Sequence, residues 1–143
     1  MTQLTLGKAQ TIITAALAFS RQKSFKPMAV AVLDARGVLK AFSAEDGTSL
    51  RRAEIAIGKA HGALSMGVGS RALAKQAQER PQFIAAVTHA VGGSLIPVPG
   101  GVLIRGDDNS IIGAVGASGD VSDNDEAAVL AGLAEAGLTA DPG

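Results

Sequence analysis

The chain contains no cysteine, no tryptophan and no tyrosine. The missing cysteine excludes disulfides, thiolate nucleophiles and cysteine-ligated zinc or iron–sulfur centres. The missing aromatics remove the usual base-stacking platforms. Thirteen basic and 13 acidic residues cancel to a formal net charge of zero, so there is no electrostatic footprint for DNA or RNA. Nucleic-acid partners are therefore not expected. No run approaches the roughly 18 apolar residues of a membrane span. The N-terminal residues, Met1 to Lys8, do not form a basic segment followed by an apolar core. Both absences point to a cytoplasmic protein without a membrane partner. Zero charge also gives little self-repulsion, which favours a homo-oligomer.

The 143 residues suit one domain over 1–143, large enough to bury roughly 70% of the unfolded chain's surface without a metal or cross-link. The apolar share is 47%, yet Phe19, Phe25, Phe42 and Phe83 are the only aromatics. The core must therefore come from Ala, Val, Leu and Ile, with 18 glycines allowing elements to approach closely.

Thr5 can cap a helix from Leu6 that fades between Gln22 and Ser24, with Leu6, Ala9, Ile13, Ala16 and Leu17 on one face. Met28 to Asp34 reads as a buried strand. Asp34-Ala35-Arg36-Gly37 is a turn, and Val38 to Ser43 returns as a hairpin partner. Ser49 to Met66 and Ser70 to Glu79 read as helices, and Pro81 suits the first turn of another that ends before Gly92. Three strands follow: Leu95 to Val98, Val102 to Arg105, and Ile111 to Ala117. A last helix starts at Ser122 or Asp123 and runs to Glu135, with Gly137 as its C-cap. Hairpins joined by short turns imply an antiparallel sheet. Strands grouped in blocks imply α+β, with five strands and packed helices.

Candidate chemistry concentrates in three places. The spaced glycines Gly113, Gly116 and Gly119, with Ser118 between, leave the backbone bare where ligand or backbone must come close. Their spacing is not that of a dinucleotide fingerprint. Gly100 and Gly101 form either a tight turn or a wall for a flat ligand. The acids Asp120, Asp123, Asp125 and Glu126 read first as capping and dipole-complementing residues, with Ser122 or Asp123 as cap. They also form an acidic lip able to hold a basic side chain or cation, and Arg51 and Arg52 would complement it. On the helix from Ser49, Gly58 and Gly62 indicate close packing on a neighbour. Lys59 and His61 lie roughly 200° apart on it. Two histidines, His61 and His89, are too far apart in sequence for a local zinc pair.

Ala29-Val30-Ala31-Val32-Leu33-Asp34-Ala35, Gly37, Asp46-Gly47, Lys59-Ala60, Pro99-Gly100-Gly101-Val102, and Gly113-Ala114-Val115-Gly116 with Ser118-Gly119 and Asp125-Glu126 together resemble the GlcG/HbpS-like family, also called the haem-degrading domain or DUF336. The resemblance runs from Leu4 to Leu138. It implies a profilin- or PAS-like α+β sandwich, an oligomer, and a small-molecule ligand with haem or another tetrapyrrole as first candidate. Asp120 stands where many members have glycine, and Val102-Leu103 replaces the usual Val-Pro. The expected ligand edge is Arg51, Gly100, Gly101, Gly116, Ser118 and Gly119. His61 is preferred as metal ligand, because Gly58 and Gly62 would leave space for a flat ring beside it. His89, at a helix end, is explained by the dipole. The alternative is a cofactor-independent enzyme or accessory protein acting on a small organic acid. There Lys59 or Arg51 would hold the carboxylate, and Asp120 or Asp123 would move a proton.

Overall fold

Thr5 begins the first helix as expected. Its Oγ1 accepts a 3.1 Å hydrogen bond from Lys8 N, and α1 runs Leu6–Gln22. The computed structural model describes residues 2–143. After α1 come β1 (Ala29–Asp34), β2 (Leu39–Ala44), α2 (Arg52–Met66), α3 (Ser70–Glu79), α4 (Pro81–Ala90), β3 (Gly101–Arg105), β4 (Ile111–Ser118), α5 (Ser122–Glu135) and β5 (Thr139–Asp141). The sheet is antiparallel throughout, in the order β2-β1-β4-β3-β5. This is an α+β fold with five helices on an open five-stranded sheet.

The fifth strand is not the expected one. Leu95 to Val98 forms no strand. Pro97 and Pro99 have no N–H to give a ladder, and Ile96 N donates instead to Gly58 O of α2 at 3.1 Å. The fifth strand is β5, whose three residues pair with Leu103, Ile104 and Arg105. The start of α5 also differs. Its N-cap is Val121, with no side-chain cap bond from Ser122 or Asp123. Asp120 takes that role from outside, accepting from Val121 N at 2.7 Å and Asn124 Nδ2 at 2.9 Å. Similarly, α2 starts at Arg52 rather than Ser49, whose hydroxyl accepts from Arg52 Nε at 3.1 Å.

Side-chain alternation in the strands builds two cores. Val30, Val32, Val102, Ile104, Val115 and Ala117 face α1 and α5, against Ile12, Ala16, Val129 and Leu133. The opposite face, with Ala29, Ala31, Leu33, Leu103 and Ala114, lies under Ala56, Ala60 and Ala63 of α2. Leu73, Ile84 and Leu95 tie α3 and α4 into a satellite cluster beside it. Small residues on both sides of this second interface bring α2 close to the sheet. α2 lies over β4, β1 and β3. Edge strand β2 is left outside that cover.

Candidate functional site

Lys59 and Asp125 meet at the end of the sheet where β4 leaves and β3 enters. Lys59 Nζ donates to Asp125 Oδ2 at 3.0 Å and to Ala117 O at 2.9 Å. The two side chains are only 2% and 1% exposed, so water supplies almost none of their solvation. Asp125 Oδ1 also accepts from Asp120 N at 2.9 Å. The pair thus locks the α2 layer to the first turn of α5. Burial pushes Lys59 below and Asp125 above its ordinary value, and their mutual attraction opposes both shifts.

The remaining acids of the lip are also engaged. Glu126 and Asp123 hold Arg71 of α3, at 3.0 Å from its Nε and 2.6 Å from its Nη2 respectively. These carboxylates raise Arg71 above its ordinary value, Glu126 most. An acidic lip holding a basic side chain was legible in the sequence; that the base is Arg71 was not. Arg51 is exposed and pairs with Glu54 at 3.4 Å, while Arg52 Nη1 donates to Ser118 Oγ at 3.1 Å.

Asp120 accepts from Lys26 N at 2.7 Å as well as from Val121 and Asn124. The backbone bond from Lys26 is the main cause that holds its carboxyl below the ordinary value of 3.8. Its stabilising contribution is therefore complete above that ordinary value and is lost as the pH falls through the lowered one. Urea unfolding at pH 5 and pH 3 checks this. Asp120→Asn should be less stable than wild type at pH 5 and closer to it at pH 3. An equal gap at both values would rule the titration out.

The site glycines meet the protein's own backbone. A Cβ on Gly116 would land on the Ala56 carbonyl oxygen, one on Gly101 on the Lys59 carbonyl, and one on Gly119 on the Pro27 carbonyl. Gly100 has φ +120°, and its Cβ would lie 2.9 Å from Lys59 Nζ. Close approach is required at these positions, and what approaches is α2 and the strand entry. Ser118 is 1% exposed on the same face.

His61 stands apart from this junction. The space expected beside it is filled, since a Cβ at Gly58 would lie 2.6 Å from Ile96 Cγ1 and one at Gly62 2.8 Å from Leu95 Cγ. The ring is instead pinned by the same segment, 94–96. Its Nδ1 lies 2.8 Å from Ser94 O, and a carbonyl only accepts, so Nδ1 carries the proton. In the neutral ring Nε2 then keeps its lone pair. The Nε2 edge faces Gly37 of the β1–β2 turn, 3.8 Å from where a Cβ there would stand.

Beyond that turn runs the uncovered face of β2. Leu39 pairs with Leu33 and Phe42 with Ala31, both on the α2 side of the sheet, and cross-strand partners share a face. Leu39 and Phe42 are 47% and 36% exposed. Ile57, which packs on Ala29 and Ala31, gives α2 an apolar flank on that side. His89 is exposed in the last turn of α4, as the dipole argument expects. No group of three or more metal-ligating side chains occurs among the described residues. None of the helices described is long and apolar enough to cross a membrane.

The sequence profile of the family described as "Haem degrading protein HbpS-like" matches residues 4–134. The chain belongs to the HbpS-like family. Among solved structures, the PduOC haem complex superposes with a TM-score of 0.86 at 21% identity, covering 96% of this chain and 98% of the other. The DUF336 protein ORFY of Klebsiella pneumoniae gives 0.84 at 22%, covering 96% and 93%. HbpS itself gives 0.79 at 27%, covering 94% and 90%. A comparison with curated protein sequences gives no match.

Proposed function

We propose that this HbpS-like protein binds haem or a related metallated tetrapyrrole on the uncovered α2-side face of β2, with His61 Nε2 as axial ligand. One observation carries the reading. The Nδ1–H···O bond to Ser94 fixes the ring and directs the lone pair to Nε2, the second-sphere arrangement that orients a metal-ligating histidine. The surroundings fit a tetrapyrrole. Leu39 and Phe42 are exposed apolar residues on the strand that leaves the Gly37 turn, which faces the imidazole, and a tetrapyrrole has two broad apolar faces to bury. The PduOC relative is a haem complex, which supports the same ligand class. A bound iron tetrapyrrole would supply a redox-active metal. The protein's part is to hold the iron through His61 and to shield one face of the ring from water. Self-association belongs to this reading too, because β2 is an edge strand and a second copy set against it would cover the ring's other face.

The small-acid alternative that rests on Lys59, Asp120 and Asp123 draws no support from their partners. Lys59 is consumed by Asp125, Asp123 by Arg71, and Asp120 by backbone donors.

The test is a haem titration followed in the Soret band. His61→Ala should abolish or shift the ligated spectrum and weaken binding at least tenfold, and His89→Ala should match wild type. Unchanged spectra and affinity in both variants would exclude histidine ligation.

A further inference from the structure

Arg52 is a half-buried arginine without a carboxylate. Arg21, Arg36, Arg51, Arg71 and Arg105 each pair with an acid, and the Arg80 guanidinium stacks on Phe83. Arg52 instead donates to two neutral oxygens, Ser49 Oγ and Ser118 Oγ, each at 3.1 Å. Among the described residues its Nη2 has no acceptor. Ser118 is 1% exposed, and its hydroxyl proton has no acceptor among the described residues either. A guanidinium edge and a buried hydroxyl donor therefore converge on one spot with donors to spare.

Arg52 is the cation of this junction that meets no carboxylate. Lys59 and Asp125 neutralise one another, and the Arg52 charge is left over. It is close enough to act on both partners, pushing Lys59 and Asp125 alike downward. The planar fork of an arginine with an adjacent hydroxyl suits a carboxylate, which accepts from both. Leu50 and Val121, near neighbours in sequence of Arg52 and Ser118, are 84% and 64% exposed.

We propose that Arg52 and Ser118 form a carboxylate-binding site at the junction of α2 and β4, which takes a small organic acid. It is separate from the tetrapyrrole face, because Arg52 and His61 project from roughly opposite sides of α2. Either proposal can fail without the other.

The probe is acetate, titrated into ¹⁵N-labelled protein, with chloride at equal ionic strength as control. Acetate should give saturable shifts at Ser118, Gly119 and the Arg52 side-chain N–H, and chloride should not. Arg52→Gln should weaken acetate at least tenfold, which corresponds to about 1.4 kcal/mol. Arg52→Lys, which keeps the charge but loses the fork, should fall between. It also guards against a folding defect, since each variant's spectrum reports its fold. Equal shifts from chloride would overturn the proposal, as would acetate affinity unchanged in Arg52→Gln. A variant that changes only the oligomeric state, with acetate affinity intact, would assign Arg52 to a contact between copies and overturn it equally.

Discussion

Asp125→Ala is expected to destabilise the protein by about 3–5 kcal/mol, the cost of stranding one member of a buried ion pair. Lys59 would then lie 2% exposed with Ala117 O as its remaining partner, and Asp120 N would lose its acceptor. Lys59→Met should cost a similar amount by leaving the Asp125 carboxylate unpaired. The decisive variant is the double one, Lys59→Met with Asp125→Asn. Asparagine keeps an oxygen for Asp120 N, and no charge remains to be buried. The double variant should be more stable than either single one. Urea unfolding of wild type, Lys59→Met, Asp125→Asn and the double variant closes the cycle, and additive losses would show that the two side chains are not coupled. The pH dependence has a definite sign. Asp125, raised by burial, contributes stability that is complete below its ordinary value and is lost as the pH rises through the raised one. Lys59, lowered by burial, contributes stability that is complete above its ordinary value and is lost as the pH falls through the lowered one. Between those limits both groups bear the cost of desolvation, offset by their attraction. The double variant should therefore lose the pH dependence that Asp125 adds just above 3.8 and that Lys59 adds just below 10.5.

Gly116→Val is expected to cost at least the 1–3 kcal/mol typical of overpacking. The atom in the way is the Ala56 carbonyl oxygen, with Ala60 N 3.1 Å from the same position. Backbone of a helix cannot rotate aside as a flexible side chain would, so α2 must lift from the sheet. Gly7→Ala is the matched control. Its Cβ would meet only Thr5 Oγ1 at 3.9 Å, and alanine favours a helix over glycine by up to about 1 kcal/mol. Thermal unfolding should lower the transition for Gly116→Val and leave it equal or higher for Gly7→Ala. Equal transitions in wild type and Gly116→Val would show that α2 does not need this approach.

Much of the fold was legible because its signals are local. The Thr5 cap, the period of α1, the Asp34–Gly37 turn and the spans of α3 and β4 each depend on residues a few positions apart. No strand forms at Leu95 to Val98, because Pro97 inside that apolar run has no N–H to give a ladder. β5 carried almost no signal, since three residues after α5 pair only because β3 offers them a free edge.

The candidate site divides in the same way. From sequence alone came the need for bare backbone at Gly113, Gly116 and Gly119, and the acidic lip at the start of α5. Which atoms answer those needs was decided by tertiary structure. Lys59 and Asp125 are 66 positions apart, and Arg71 and Glu126 are 55 apart. His61 is oriented by the carbonyl of Ser94, 33 positions away. Periodicity and caps say which face of a helix is apolar. They do not say which residue of another layer lies over it, because that depends on how closely the small side chains of α2 let it approach the sheet.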